Sequence, residues 1–419
     1  MIFVAAYLVL LFIAPQLWVG PVMGLRVDLF LYPAWLAYVV LRGRLPLLLR
    51  FRSGDWFFLG FVLWSAVTVV AHGMPQRGQD IVQNLAKWFV LYRLTVASTA
   101  DRGGLRRAAK LLVLVGIVLS VEGIQHYWSA DGLGWAGQTF GWVDEAAATL
   151  GLDKRTRWVN IFDGPGVFCV VYTIALPFVL QYLASPWGWF TRIAALAPTG
   201  LLMLAIFYTG SRGGWVTTLV LVGAWMALRS GISAPRLAAL GALGLVFVMA
   251  GPSYLTSTRD SSNSAQRRVE MWGEGIEMVQ QNPLLGIGRG NFANYTGRLI
   301  AHNSAVEIMG ESGIVGLFLW VGVLYCGFKC LRHSIRETED DHDRAYARSL
   351  VLCLTGYLVS AMFVTLEYET LYFLLALAAA RGEDLDEPPT FDVRDGLAVL
   401  AIMLGFFAMV KGFVMIYFA

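Results

Sequence analysis

Polar residues interrupt this chain at intervals of about one helix length. Apolar runs cover residues 1 to 19, 28 to 41, 56 to 72, 81 to 98, 108 to 128, 166 to 184, 193 to 209, 214 to 228, 237 to 256, 304 to 328, 349 to 365, 366 to 380 and 397 to 418. Crossing roughly 30 Å of hydrocarbon takes about 20 helical residues. Backbone groups inside that layer must be satisfied within the segment, so the runs are helices. The pattern predicts an all-α polytopic transmembrane bundle of about 12 or 13 helices. It forms a single integral membrane domain over 1–419, with two polar stretches too long to be turns, 129–165 and 257–302. The first run lacks a basic n-region and a small-residue cleavage site, and reads as a retained helix.

Composition agrees with the pattern: 57% of residues are hydrophobic and 15% charged, and the mean hydropathy is +0.60. A chain of soluble domains is excluded, and no nucleic-acid partner is expected. The net charge of +3 matters less than where it falls. Short connections on one side hold Arg42, Arg44, Arg50 and Arg52, then Arg102, Arg106, Arg107 and Lys110, then Arg229 and Arg236, then Lys329, Arg332, Arg336, Arg344 and Arg348. The opposite short connections hold Arg26, Arg77 and Arg212. The positive side is cytoplasmic, which starts the amino end inside and leaves both long stretches outside. Cys169, Cys326, Cys330 and Cys353 fall in apolar helices, as small hydrophobes.

The second outer stretch concentrates the unusual residues. In AQRRVEMWGEGIEMVQQNP, Val269, Trp272, Ile276 and Val279 form one stripe, which predicts an amphipathic helix on the membrane surface. GIGRGNF follows; its glycines either let backbone NH groups approach a ligand or simply make a turn. Arg259, Arg267, Arg268, Arg289 and Arg298 are nearly balanced by Asp260, Glu270, Glu274 and Glu277. Any that matter act singly, as forked phosphate donors; Arg267 and Arg298 read as solvated charges. In YTGSRGGW, Arg212 sits on a glycine-bounded turn, facing a phosphate or snorkelling.

His302 stands directly before a helix, where it is either structural or positioned to take a proton from an attacking hydroxyl. Ser304 and Glu307 have capping-box spacing. Glu311 lies one turn further on the same face, directed at the bundle or a wet cavity; both carboxylates are secondary candidates for the base. Within another helix Asp80, Asn84 and Lys87 align. A lysine there needs a partner or cavity, with Glu122, Gln125 and His126 as candidate partners, while Arg93 snorkels. The two outer stretches have no Asp-x-Asp, and the chain has no His or Cys cluster of metal spacing, no Walker loop and no G-x-S-x-G. No metal or cofactor is expected, and a lipid diphosphate donor, which carries its own leaving group, suits chemistry without ATP.

TGSRGG at an outer helix junction, R-x-x-x-W at Arg268 and Trp272, NPLLGIGRGNF, and HNSAVEIMGESGIVG with its His302-Asn303 pair occur in that order. Over about residues 208–320 they resemble the O-antigen ligase and polymerase superfamily of bacterial envelope enzymes. The resemblance implies a metal-independent, inverting glycosyltransferase of the bacterial inner membrane, with its site on the periplasmic face. It implies an undecaprenyl-diphosphate-linked glycan as donor and a hydroxyl acceptor, lipid A core in a ligase, among membrane lipids. Arg212, Arg268, Arg289 and Lys87 would hold the diphosphate, Arg212 and Arg289 also serving the chemistry, and His302 would activate the acceptor. Polymerases, associated with R-x10-G spacings such as Arg155 to Gly166, and protein O-glycan ligases are alternatives. A polysaccharide or lipid transporter is the rival from another class, although no paired repeat is visible.

Overall fold

The apolar runs fold as helices. The computed structural model describes residues 1–101, 103–141, 154–184, 186–230, 259–297, 299–383, 385 and 387–418, the side chains of 28, 229–230 and 259–266 excepted. The predicted span 237 to 256, part of the first outer stretch (142–153) and Arg298 lie outside these residues. Each of the other twelve predicted spans holds a helix, and the described residues contain no strand. Six of these helices are long and apolar enough to cross a membrane: Ser53–Ala71, Gly104–Trp128, Pro165–Leu183, Trp189–Tyr208, Ser304–Glu337 and Val393–Phe418. The chain is an all-α polytopic membrane protein.

The first predicted span is shorter than expected. Its helix runs Ile2–Leu8, continues as a π-turn Val9–Ile13, and stops where Ala14 turns left-handed at φ 51° ahead of Pro15. Proline lacks the N–H that a continuing helix needs there.

The chain divides into two units, each built from three stretches of sequence. The first comprises Met1–Leu41, Asp101–Ser257 and Glu337–Ser360. At its centre stands Pro165–Leu180, apolar on every side and almost wholly buried. Gly104–Trp128, Leu196–Tyr208, Arg212–Ser230 and Asp341–Ser360 pack around it. A helix apolar all round belongs in a bundle core. Close packing relies on small residues: a β-carbon on Gly116 would lie 2.7 Å from that of Ala175.

The second unit comprises Arg42–Ala100, Thr258–Arg336 and Ala361–Ala419. Glu369–Glu383 packs along Gln76–Thr99, and Tyr372 stacks on Phe58 at 4.2 Å. Arg93 does not snorkel. It is buried, paired with Asp55 at 2.7 Å, and donates to the carbonyls of Leu48 and Arg50 at 3.1 and 2.7 Å. The stripe of the Arg259–Gln281 helix is covered by protein rather than by a membrane surface. Val269, Ile276 and Val279 are buried, Trp272 lies 5.7 Å from Phe413 of Val393–Phe418, and Gly275 abuts Val306.

Candidate functional site

In the second unit the glycine-rich turn fits against the chain itself. Gly286, Gly288 and Gly290 all have positive φ. A β-carbon on Gly290 would meet the Gly78 nitrogen at 2.7 Å, so the turn lies directly on the start of the Gln76–Thr99 helix. The close approach that the glycines allow is to backbone of the same chain. The segment before the turn fills a break in Ser304–Glu337, where Gly313 sits at φ 65° and ψ −169° against Leu284. Carbonyls near the break find partners outside the helix: Gly310 accepts from the Ile287 N–H at 3.0 Å and Ser312 from the Trp64 indole at 2.9 Å. Irregular backbone in a spanning helix survives only when its polar groups are satisfied in this way.

Arg289, at the centre of that turn, points inward and is 2% exposed. Its Nη1 donates to Glu311 at 2.7 Å and its Nη2 to Glu367, while the guanidinium lies 5.7 Å from the Phe61 ring centre. Glu311 also accepts the Phe292 N–H at 3.0 Å, and Tyr372 donates to Glu367 at 3.2 Å. Burial alone would make the guanidinium less basic, but Glu367 and Glu311 outweigh it and raise its pKa. The sequence predicts a fork offered to a ligand; in the structure two internal carboxylates occupy both of its ends. Only Nε has no partner among the described residues. Glu367 escapes the sequence reading, although a carboxylate in the apolar run AMFVTLEYETLYFLL is itself a signal.

The backbone around His302 is held from two sides. Trp272, four residues after Arg268, donates its indole N–H to the Ala301 carbonyl at 3.1 Å. The next helix is capped by Asn303, whose Oδ1 accepts from the Ala305 and Val306 N–H groups at 3.1 and 3.2 Å. This replaces the expected Ser304–Glu307 capping box. Ser304 Oγ instead accepts from the Leu366 N–H at 2.7 Å, and Glu307 accepts from the Thr365 hydroxyl at 2.7 Å. Both reach the loop 361–368, which sequence pattern assigns to helix ends. His302 adopts φ 49°, a left-handed conformation uncommon outside glycine. Its ring is half-buried, and burial together with the charge of Arg268 lowers its pKa to about 4. The imidazole is therefore neutral at ordinary pH, with a lone pair free to accept a proton.

Lys87 is exposed on the Gln76–Thr99 helix beside exposed Asp80 and Asn84. Its expected partners are engaged within the first unit: Glu122 with Gln138 at 2.6 Å, Gln125 with Trp135 at 2.7 Å, and His126 with the Gly132 carbonyl at 3.3 Å.

Arg212 belongs to the first unit and is the first residue of Arg212–Ser230. Ser211 caps that helix, its Oγ accepting from the Gly214 N–H at 3.1 Å, while Thr209 Oγ1 accepts from the Ser211 N–H at 3.3 Å. Gly214 packs against Cys169. These contacts fix the turn and leave the Arg212 side chain half-buried at a helix amino end, where the helix dipole favours anions.

Residues 197–321 match the O-antigen ligase family, a segment that contains Arg212, Arg268, Trp272, Arg289 and His302. Over 310 residues, 70% of this chain and 68% of the relative, the sequence is 25% identical to the O-antigen ligase of Pseudomonas aeruginosa. Motif segment and long-range similarity agree: the chain is similar to O-antigen ligases both in the motif segment and over most of its length.

Proposed function

We propose that this protein transfers a glycan from undecaprenyl diphosphate to an acceptor hydroxyl, lipid A core, at the periplasmic face of a bacterial inner membrane. The observation that carries the reading is His302: a half-buried, neutral imidazole fixed at a helix mouth beside Arg268. In the proposed step the acceptor oxygen attacks the anomeric carbon from the side opposite the diphosphate, with inversion. The hydroxyl proton passes to the imidazole as the new C–O bond forms. The old C–O bond breaks, and its electron pair leaves on the diphosphate. Arg212 and Arg268 are the forked donors assigned to that growing charge and Lys87 a point-charge donor, so side chains supply the positive charge without a metal. Because Arg289 is enclosed by Glu311 and Glu367, it acts as a positioning residue for the turn rather than by touching the donor. Glu311, engaged in the same way, is a weaker candidate base than His302.

Similarity to O-antigen ligases favours this reading over a transporter. The helix break at Gly313 is filled by the chain's own 283–287 segment. The test uses purified protein, a synthetic undecaprenyl-diphosphate glycan and lipid A core. His302→Ala should lower transfer by about 10²- to 10⁴-fold, the scale of general base catalysis, with donor binding retained. His302→Gln should be nearly as inactive. A Gln variant with near-normal turnover refutes the base.

A further inference from the structure

Within the first unit, the turn that carries Arg212 adjoins an aromatic and cationic surface with no part in the scheme above. We propose that this surface is the subsite for the saccharide next to the donor diphosphate, with Trp128, held by Tyr208, as its stacking platform and Arg155 as a second forked phosphate donor. The inference rests on the donor reading and adds to it where the sugar lies.

Arg155 comes from the first long stretch, more than fifty residues before Arg212, yet its stem lies on Gly210. Its Cγ, Nε and Cδ are 3.2, 3.5 and 3.6 Å from where a Gly210 β-carbon would be. The strand of chain is pinned there, since the Thr156 N–H donates to the Tyr208 carbonyl at 3.0 Å and Gly141 donates to the Arg155 carbonyl at 2.8 Å. Among the described residues the Arg155 guanidinium has no hydrogen bond or ion pair. A fork whose stem is fixed and whose head meets no partner among the described residues suits a phosphate oxygen.

Trp128 is 70% exposed, but its indole N–H is not given to solvent. It donates to the Tyr208 hydroxyl at 3.1 Å, with the two rings edge to face, and Tyr127 stacks on the other ring at 4.1 Å. Trp135, 41% exposed, is fixed in the same manner by Gln125 at 2.7 Å. A tryptophan of the aromatic belt anchors a membrane protein by keeping its polar edge at the headgroups. Here the polar edges are used inside the protein, which locks the rings and turns apolar faces outward. Such a face takes the C–H side of a pyranose, whose slightly positive hydrogens meet the negative ring face while the hydroxyls stay hydrated. Little side-chain entropy is lost, because the rings are already held. Lys154, 5.9 Å from the Tyr127 ring and 5.4 Å from that of Phe140, adds positive charge beside the platform.

Native mass spectrometry of the purified full chain can compare two probes: undecaprenyl diphosphate, and the same lipid carrying one N-acetylglucosamine. The wild type is expected to bind both, the sugar-bearing probe more tightly. Trp128→Ala should weaken the sugar-bearing probe by about tenfold and leave the bare lipid unchanged, and Trp128→Phe should restore most of the loss. Arg155→Ala should weaken both. If Trp128→Ala weakens both probes equally, or neither, the platform is refuted while the donor reading stands. If Arg155→Ala alters neither, its phosphate role is refuted. If the wild type binds neither probe, the donor reading falls and this subsite with it.

Discussion

Two arginines in this chain stand between glycines, Arg289 in GIGRG and Arg212 in TGSRGG, and the structure gives them different surroundings. Arg289 is enclosed, with its guanidinium divided between Glu311 and Glu367. Arg212 begins a helix, half-buried, on a turn whose hydrogen bonds come from Ser211 and Thr209. Flanking glycines thus let a backbone turn closely in each place without deciding what the arginine meets. That is settled by residues far along the chain: Glu367 follows Arg289 by 78 positions. A glycine-bounded arginine in an apolar chain is as able to bolt two segments together as to hold an anion.

If the two turns differ in this way, Arg289→Ala acts on folding first. It leaves two buried carboxylates without their counter-charge, a change that costs about 3–5 kcal/mol when a buried pair is broken from one side. A large drop in the apparent Tm of the detergent-purified protein is expected, with transfer lost as a consequence. Replacing all three groups, Arg289→Met with Glu311→Gln and Glu367→Gln, should recover much of the stability, since no unpaired charge remains. An unchanged Tm in Arg289→Ala combined with lost transfer would break the comparison and put Arg289 alongside Arg212.

Arg212→Lys tests the other side. The charge is kept and the forked geometry is lost, so transfer should fall by about 10- to 100-fold, the equivalent of a charge-assisted hydrogen bond of roughly 1.5–3 kcal/mol. The apparent Tm should not move. Full activity in the lysine variant would mean that only a point charge is needed. A Tm shift as large as that of Arg289→Ala would make both arginines structural.

What the sequence makes legible follows the range of the interaction. Helices are written locally, as apolar runs between charged connections, and the stripe Val269, Trp272, Ile276 and Val279 is equally local. What covers the stripe is not: the contact with Phe413 joins residues 141 positions apart. Ser304 and Glu307 have the spacing of a capping box, but Asn303 competes for the same N–H groups, and loop 361–368 offers Ser304 and Glu307 other partners. Arg93 reads as a snorkelling side chain until Asp55, 38 residues earlier, is brought against it. The candidate residues themselves could be found because charge is scarce in an apolar chain. Their roles separate only when the carboxylates are located, and Glu367 and Thr365 lie beyond the motif segment.

The smallest expected effect concerns pH. In the folded protein the His302 pKa is lowered to about 4, by burial and then by Arg268, whereas a free imidazole titrates near about 6.5. Between these two values the unfolded chain binds a proton that the folded chain refuses, so protonation favours unfolding. The contribution of His302 to stability is thus fully present above about pH 6.5 and is lost as the pH falls toward about 4. His302→Gln removes this group from the balance. The difference in apparent Tm between wild type and His302→Gln should therefore be constant above pH 6.5 and change steadily below it, the wild type losing more. Activity follows the same pKa: the base stays deprotonated down to about pH 4, and the rising limb of the wild-type profile should lie there rather than near 6.5. A limb near 6.5, together with a Tm difference that does not depend on pH, would mean a solvated ring that does not sense Arg268. His302 would then be no more enclosed than an ordinary surface histidine, and its assignment as a held base would have to be redrawn.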